Sequence, residues 1–296
     1  MTKTVQSFIS MLLLLFCAPI SKAQETEPVI AQVYYQFVHV NDTTKRDKPH
    51  KEEMVLYIGT HQSFYTSNIN AFMQKQMREQ MSNPAFDGKI IISGKGAGSN
   101  ESFYFLPKSR ILKKTYRLAK QQYIVDEPYP ELNWKISTDT MTIGGYLCQK
   151  AITQFKGRAY HAWFAPELPF SFGPWKLQGL PGLILEAYDN EEEVVFRYAG
   201  FDKLGDGKVQ IGAIGDYIKT DQKSLEKLIA AAQKNRKVFM DAQGDGGVSR
   251  TASVVTGIKK EELPSFMDAS RIRSIEVRKD EGGVSSTNNN PLERSN

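Results

Sequence analysis

Residues 159–189 read AYHAWFAPELPFSFGPWKLQGLPGLILEAYD. Four prolines fall within this stretch (Pro166, Pro169, Pro174 and Pro181), along with Gly173, Gly179 and Gly182 and two of the chain's three tryptophans, Trp163 and Trp175. Proline fixes φ and removes a backbone donor. Glycine permits close backbone approach or a positive φ. The flanks, Ala159–Phe164 and Leu183–Tyr188, are aromatic and aliphatic in the manner of strands. The stretch therefore reads as two strands joined by a long, rigid excursion. Trp175, Leu177, Leu180 and Leu183 are the residues to pin that excursion to a core. It is either a plug that fills the sheet or a preformed binding edge, since long ordered loops carry function. The binding reading takes as its site Trp163, Pro166, Glu167, Pro169, Gly173, Pro174, Trp175, Gly179, Leu180, Pro181, Gly182, Leu183, Ile184 and Glu186. Pro181-Gly182 is expected to need special backbone angles. A β-branched residue at 182 should then destabilise more than Lys176→Ala.

Outward from this stretch the chain stays β-rich. Met141–Phe155 meets the first flank through Lys156-Gly157-Arg158, a hairpin connection. Asp189-Asn190-Glu191 joins Leu183–Tyr188 to Val194–Phe201 in a second hairpin. Ala31–Val40 and Glu53–Ser67 each read as a strand, separated by a polar loop whose basic cluster is Lys45, Arg46, Lys48 and Lys51. Lys89–Ser93 and Ser102–Leu106 read as strands around a glycine-rich turn. Ile111–Val125 fits either period, and a strand is preferred. Two helices stand out. One follows Asn68 as N-cap, with Ile69, Phe72, Met73, Met77 and Met81 at helical spacing. The other runs from Gln222 to about Asp241 behind Asp221 as N-cap, with Leu225, Leu228, Ile229, Ala232 and Phe239 on one face. Strands joined by tight turns imply antiparallel pairing. The expected fold is α+β: a β-rich, mainly antiparallel, curved sheet resembling a half-barrel, with a few packed helices.

The two ends set the compartment. Residues 1–23 have the features of a secretory signal peptide: Lys3, an apolar run from Phe8 to Ile20 too short to span a bilayer, and Ser21-Lys22-Ala23 at the cleavage point. A lipobox at Cys17 is disfavoured by Phe16 before it. Cleavage after Ala23 leaves one domain over 24–281 and a polar tail over 282–296, with no membrane span. The 296 residues carry 38 basic and 33 acidic side chains, a net +5. That balance does not point to nucleic acid. With 41% hydrophobic residues the chain is of ordinary globular composition. Of its two cysteines only Cys148 survives cleavage, so no internal disulfide forms in an oxidising compartment.

Gly179-Leu180-Pro181-Gly182-Leu183-Ile184 resembles the signature of the GLPGLI family, the Porph_ging-type secreted or envelope proteins of Bacteroidota. Tyr146–Ala151 is similar to that family's cysteine-containing strand, and Gly157–Phe164 to the strand that follows. Pro166-Glu167-Leu168-Pro169, Gly173-Pro174-Trp175-Lys176 and Asn290-Pro291-Leu292-Glu293 extend the likeness. The resemblance implies export to the periplasm or cell envelope. It brings no established activity and no catalytic residues.

Motifs that carry chemistry are few. His39, His50, His61 and His161 lack metal-ligand spacing, no HExxH occurs, and neither a metal nor a cofactor is expected. There is no G-x-S-x-G elbow. Cys148 and His161 lie on consecutive strands, and a thiol–imidazole pair there would be one route to nucleophilic catalysis. Glu167 and Glu186 bracket the loop as candidate paired carboxylates. The preferred reading is a non-catalytic binding or adaptor module of the envelope, whose ligand is a lipid, a glycan or an outer-membrane protein. An envelope hydrolase near the loop and a purely structural or stress-induced protein are the alternatives.

Overall fold

The computed structural model describes residues 26–94, 98–118, 121–205, 207–212, 217–235, 271–279 and 287–294. The expected signal peptide, Cys17 and the end of the second helix beyond 235 lie outside them. In chain order the strands are β1 (Glu27–Pro28), β2 (Ala31–His39), β3 (His50–Ile58), β4 (Ser63–Ser67), β5 (Lys89–Gly94), β6 (Glu101–Leu106), β7 (Ile111–Leu118), β8 (Gln121–Glu127), β9 (Lys135–Ile143), β10 (Tyr146–Phe155), β11 (Arg158–Ala165), β12 (Leu183–Asp189), β13 (Val194–Lys203), β14 (Gln210–Ile211), β15 (Tyr217–Lys219) and β16 (Ser274–Lys279). The helices are α1 (Ile69–Met81) and α2 (Gln222–Lys234).

Twelve strands form one sheet in the order β15-β8-β7-β6-β4-β3-β2-β13-β12-β11-β10-β9, open at both ends. Within this sheet, among the described residues, only β15 pairs parallel. The sheet is two antiparallel meanders, β2 to β8 and β9 to β13, zipped together where β13 pairs with β2. After β8 the chain crosses to the far edge to begin β9. The expected fold class stands: strand-rich, mainly antiparallel and not closed into a barrel.

Strand residues alternate as a half-buried sheet demands. In β2, Ala31, Val33, Tyr35, Phe37 and His39 are buried and their neighbours are not. The same face carries Leu56, Phe105, Leu112, Tyr160, Ala162 and Phe196 into one core cluster. Trp175, Leu177 and Leu180 join that cluster. The excursion between β11 and β12 therefore packs over the sheet as a plug.

Several local expectations are corrected. Glu53–Ser67 is not one strand but β3 and β4, turning at 59–62. Gly144-Gly145, both at positive φ, break the stretch before Lys156 into β9 and β10. β5 and β6 do not form a hairpin: β6 lies between β4 and β7, while β5 pairs parallel with β16. Ile111–Val125 is the β7–β8 hairpin. The Asp221 cap holds as expected: its carboxylate accepts from the Ser224 N–H at 2.9 Å. Asn68 does not cap α1; its amide donates to Glu53 instead. The methionine stripe of α1 is core, with Met77 and Met81 buried against Ile90 and Ile92.

Residues 287–294, part of the expected polar tail, are tied down. The Asn290 amide donates to the Val40 carbonyl and to Glu193, each at 2.7 Å, and its side-chain oxygen accepts from Arg158 at 2.6 Å. Leu292 packs on the main core. The C-terminal segment bridges the loop after β2 and the Lys156–Gly157 turn: the Asn289 and Asn290 N–H groups donate to the Asn41 carbonyl, and the Arg294 N–H donates to the Lys156 carbonyl.

Candidate functional site

The plug is held by its own backbone. The Leu168 N–H donates to the Ala165 carbonyl, Gly179 to Ser171, Leu183 to Leu168 and Ile184 to Phe172, all at 3.0–3.1 Å. Trp175 sits at φ 53°, a left-handed conformation costly for a bulky residue. That backbone sets its indole against Phe155 and Tyr160, with ring centroids 5.6 and 6.1 Å away. Of the residues expected to form a binding edge, Gly173, Pro174, Trp175, Leu180, Gly182, Leu183 and Ile184 are buried; Pro166, Glu167, Pro169, Gly179 and Pro181 are exposed. Trp163 and Glu186 are half-buried and pair across β11 and β12 on the sheet's other face. Lys150 lies over the Trp163 ring at 5.8 Å.

Concave surface borders the plug on two sides. Gly179, Leu180 and Pro181 face Leu132–Ile136 across a groove of about 430 Å³. Ser171 and Gln178 line a neighbouring groove of about 380 Å³ with Arg110 and Tyr129. The largest of the three concavities, about 690 Å³, opens beside Trp175 and Lys176. Strands β6 to β8 supply Glu101, Phe103, Lys114, Asp126 and Glu127, the start of α2 supplies Gln222 and Glu226, and the C-terminal segment supplies Asn288, Pro291, Leu292 and Glu293.

This cleft is built on ion pairs. Lys114 and Lys176 are nearly buried and grip opposite oxygens of Glu127, at 2.9 and 2.7 Å. Lys176 also pairs with Glu293, which Lys156 reaches at 3.0 Å. Lys114 donates to the Gln222 side-chain oxygen at 2.8 Å and lies 3.8 Å from Glu101. The Lys176 ammonium stands 5.4 Å from the Phe103 ring centre and 5.9 Å from that of Trp175. Burial opposes the charge on Glu127 and Glu293, but the lysines that bond them win and hold both carboxyls below the ordinary range. Burial likewise opposes the charge on Lys176, and its carboxylate partners raise it instead. Glu101 goes the other way. Its side chain is 42% exposed, but to the cleft, and poor solvation there pushes its carboxyl up despite the pull of Lys114 and Lys176.

The thiol–imidazole pair does not assemble. Cys148 is fully buried, and burial first, then Glu186 and Glu167, pushes its thiol up to about 11. His161 pairs across the β10–β11 ladder with Ile152, four residues from Cys148, or about 13 Å along a strand. It stacks on Tyr188 and its Nε2 lies 2.6 Å from Asn190 Oδ1. Glu167 accepts from the Leu147 N–H at 3.2 Å, at the sheet end. Among the described residues no group of three or more His, Cys, Asp and Glu side chains is placed to hold a metal ion. No helix among them is long and apolar enough to cross a membrane.

Sequence reasoning singled out the loop but missed Lys114, Glu127 and Glu293. These partners lie 13 to 179 residues apart, and no spacing pattern links them. The one signal was Lys176, a lysine among proline and tryptophan in a segment otherwise built to be buried.

A family model described as a protein of unknown function, Porph_ging, matches residues 154–186, from the end of β10 through the plug into β12. The resemblance drawn from the GLPGLI signature is borne out over that segment. No curated protein matches the sequence. Two solved structures of PNGF-II, in the P21 and C2 space groups, are similar, each with a TM-score of 0.47 and 13% identity over 68% of this chain and 33% of theirs. The chain thus spans about a third of the length of those structures.

Proposed function

We propose that the protein is an exported, non-catalytic binding module of the bacterial cell envelope that holds its ligand in the cleft beside Trp175 and Lys176. The observation that carries this reading is the pre-set cleft. Lys114, Lys176, Glu127 and Glu293 fix one another's positions before any ligand arrives, so binding does not have to order them. The plug backbone, bonded to itself, holds the Trp175–Lys176 wall equally still. Export rests on the features of residues 1–23, and the ligand classes open to an envelope protein are a lipid, a glycan or an outer-membrane protein.

A hydrolase reading has one observation in its favour. Glu101 is pushed up and Glu127 held down within one cleft, a divergence that acid–base pairs use. Both Glu127 oxygens are already engaged by lysines, which leaves it a poor base. Native mass spectrometry of the protein purified from its own cells tests the binding reading. A stoichiometric noncovalent adduct that Lys114→Met removes is expected. Bare protein from both forms contradicts it.

A further inference from the structure

We propose that this cleft takes a short neutral saccharide; the inference rests on the binding reading and names its ligand class. The cleft is about 690 Å³, within the range of ~300–1,000 Å³ typical of small-ligand sites. Its walls set fixed donors beside fixed acceptors, the Lys114 and Lys176 ammonium groups against the carboxylates of Glu101, Glu127 and Glu293, with Phe103, Trp175 and Leu292 supplying apolar faces for the C–H surface of a sugar ring. A hydroxyl both donates and accepts, so a polyol satisfies both kinds of wall at once.

The other ligand classes fit less well. An acyl chain would strip water from these charged groups and return no hydrogen bond. Among the described residues lining the cleft an anionic ligand finds no uncommitted lysine, because Lys114, Lys156 and Lys176 are each already paired with a carboxylate. It would also meet Glu101, whose one ion-pair contact among the described residues is the 3.8 Å approach to a lysine that Glu127 holds more closely. Uncharged hydroxyls carry neither penalty, and they extend the existing network without breaking an ion pair.

Isothermal titration calorimetry on the wild-type chain tests this with cellotriose, mannotriose and triacetylchitotriose, and with trigalacturonate as the acidic counterpart. At least one neutral trisaccharide is expected to bind, with trigalacturonate weaker by about tenfold or more. Glu101→Gln and Lys114→Met should each weaken the neutral sugar by about tenfold, with the Glu101→Gln protein melting no lower than wild type. No binding by any neutral trisaccharide, equal binding of trigalacturonate, or unchanged affinity in both variants overturns the inference. A native adduct that Lys114→Met removes would then keep the binding reading while the saccharide class fails. Loss of both results retires both.

Discussion

The Arg158 guanidinium donates to the Asp189 carboxylate from the adjoining strand, and neither side chain has any exposed surface. Asp189 also accepts from the backbone N–H groups of Glu193 and Val194, at 2.7 and 2.9 Å, which shapes the β12–β13 turn. Arg158 donates further to Asn290 and to the Pro291 carbonyl, so one ion pair ties the hairpin to the C-terminal segment. Removing one partner leaves the other charged in a dry site. Asp189→Asn and Arg158→Met are each expected to cost about 3–5 kcal/mol, read as the shift in urea midpoint. A shift under a fifth of that would mean the pair is not buried in solution.

Gly182 has a different role from the one its motif suggests. Its φ is not positive; a Cβ there would lie 2.4 Å from the Ala165 carbonyl oxygen and 2.9 Å from Pro166 Cα. Gly179 is the position at positive φ, 88°, with open space around it. Gly182→Val is expected to cost about 3 kcal/mol by overpacking, and Gly179→Ala about 1 kcal/mol by strain. Lys176 is buried in its ion pairs, so Lys176→Ala is costly too, and the wide gap expected between it and Gly182→Val closes. Thermal melts of the three variants check the order; a Gly179→Ala loss exceeding that of Gly182→Val contradicts it.

Local order was legible where residue type and period agree. The alternation in Ala31–His39, the Lys156-Gly157 turn and the Asp221 cap each follow from a few adjacent residues, and each is found. The plug was legible as a rigid excursion because prolines, glycines and large apolar residues crowd into it. Lys114, Glu127, Lys176 and Glu293 were not, since their meeting depends on how two meanders and a C-terminal segment fold over one another. The positive φ of Trp175 left no trace in the sequence either, because it goes with the seating of the indole against Phe155 and Tyr160 on neighbouring strands.

His39 reports on the docking of the C-terminal segment. Its Nε2 lies 2.7 Å from the Asn290 carbonyl oxygen, to which the neutral ring donates. Burial first, with Arg158 and His50 adding, pulls its pKa down from 6.5 to about 4, against the opposing pull of Asn290 and Asp189. The unfolded chain therefore binds this proton more readily than the folded one. Stability is complete above pH 6.5 and falls by roughly 3 kcal/mol as pH drops towards 4. The His39→Gln variant should lack this component, so the wild-type-minus-variant difference in unfolding free energy should shrink across that window. Parallel pH curves for the two proteins would count against it.

Glu101 gives the opposite sign. Poor solvation raises its carboxyl in the folded state, so its charge weakens the fold above that raised value and the penalty fades as pH falls through it towards the unfolded range. Glu101→Gln should melt slightly above wild type at pH 7 and level with it near pH 4. A lower melting temperature at pH 7 would show that Glu101 serves the fold instead.

The most direct test of the cleft uses the three tryptophan indole N–H signals. Trp175 lines the cleft, Trp134 borders the neighbouring groove with its indole donating to the Gln178 carbonyl, and Trp163 faces the other side of the sheet. Indole-labelled protein titrated with the tightest neutral trisaccharide should show the Trp175 resonance moving in step with occupancy while that of Trp163 stays fixed. Movement confined to Trp163, or no movement of any indole with any trisaccharide, would contradict a ligand site beside Lys176.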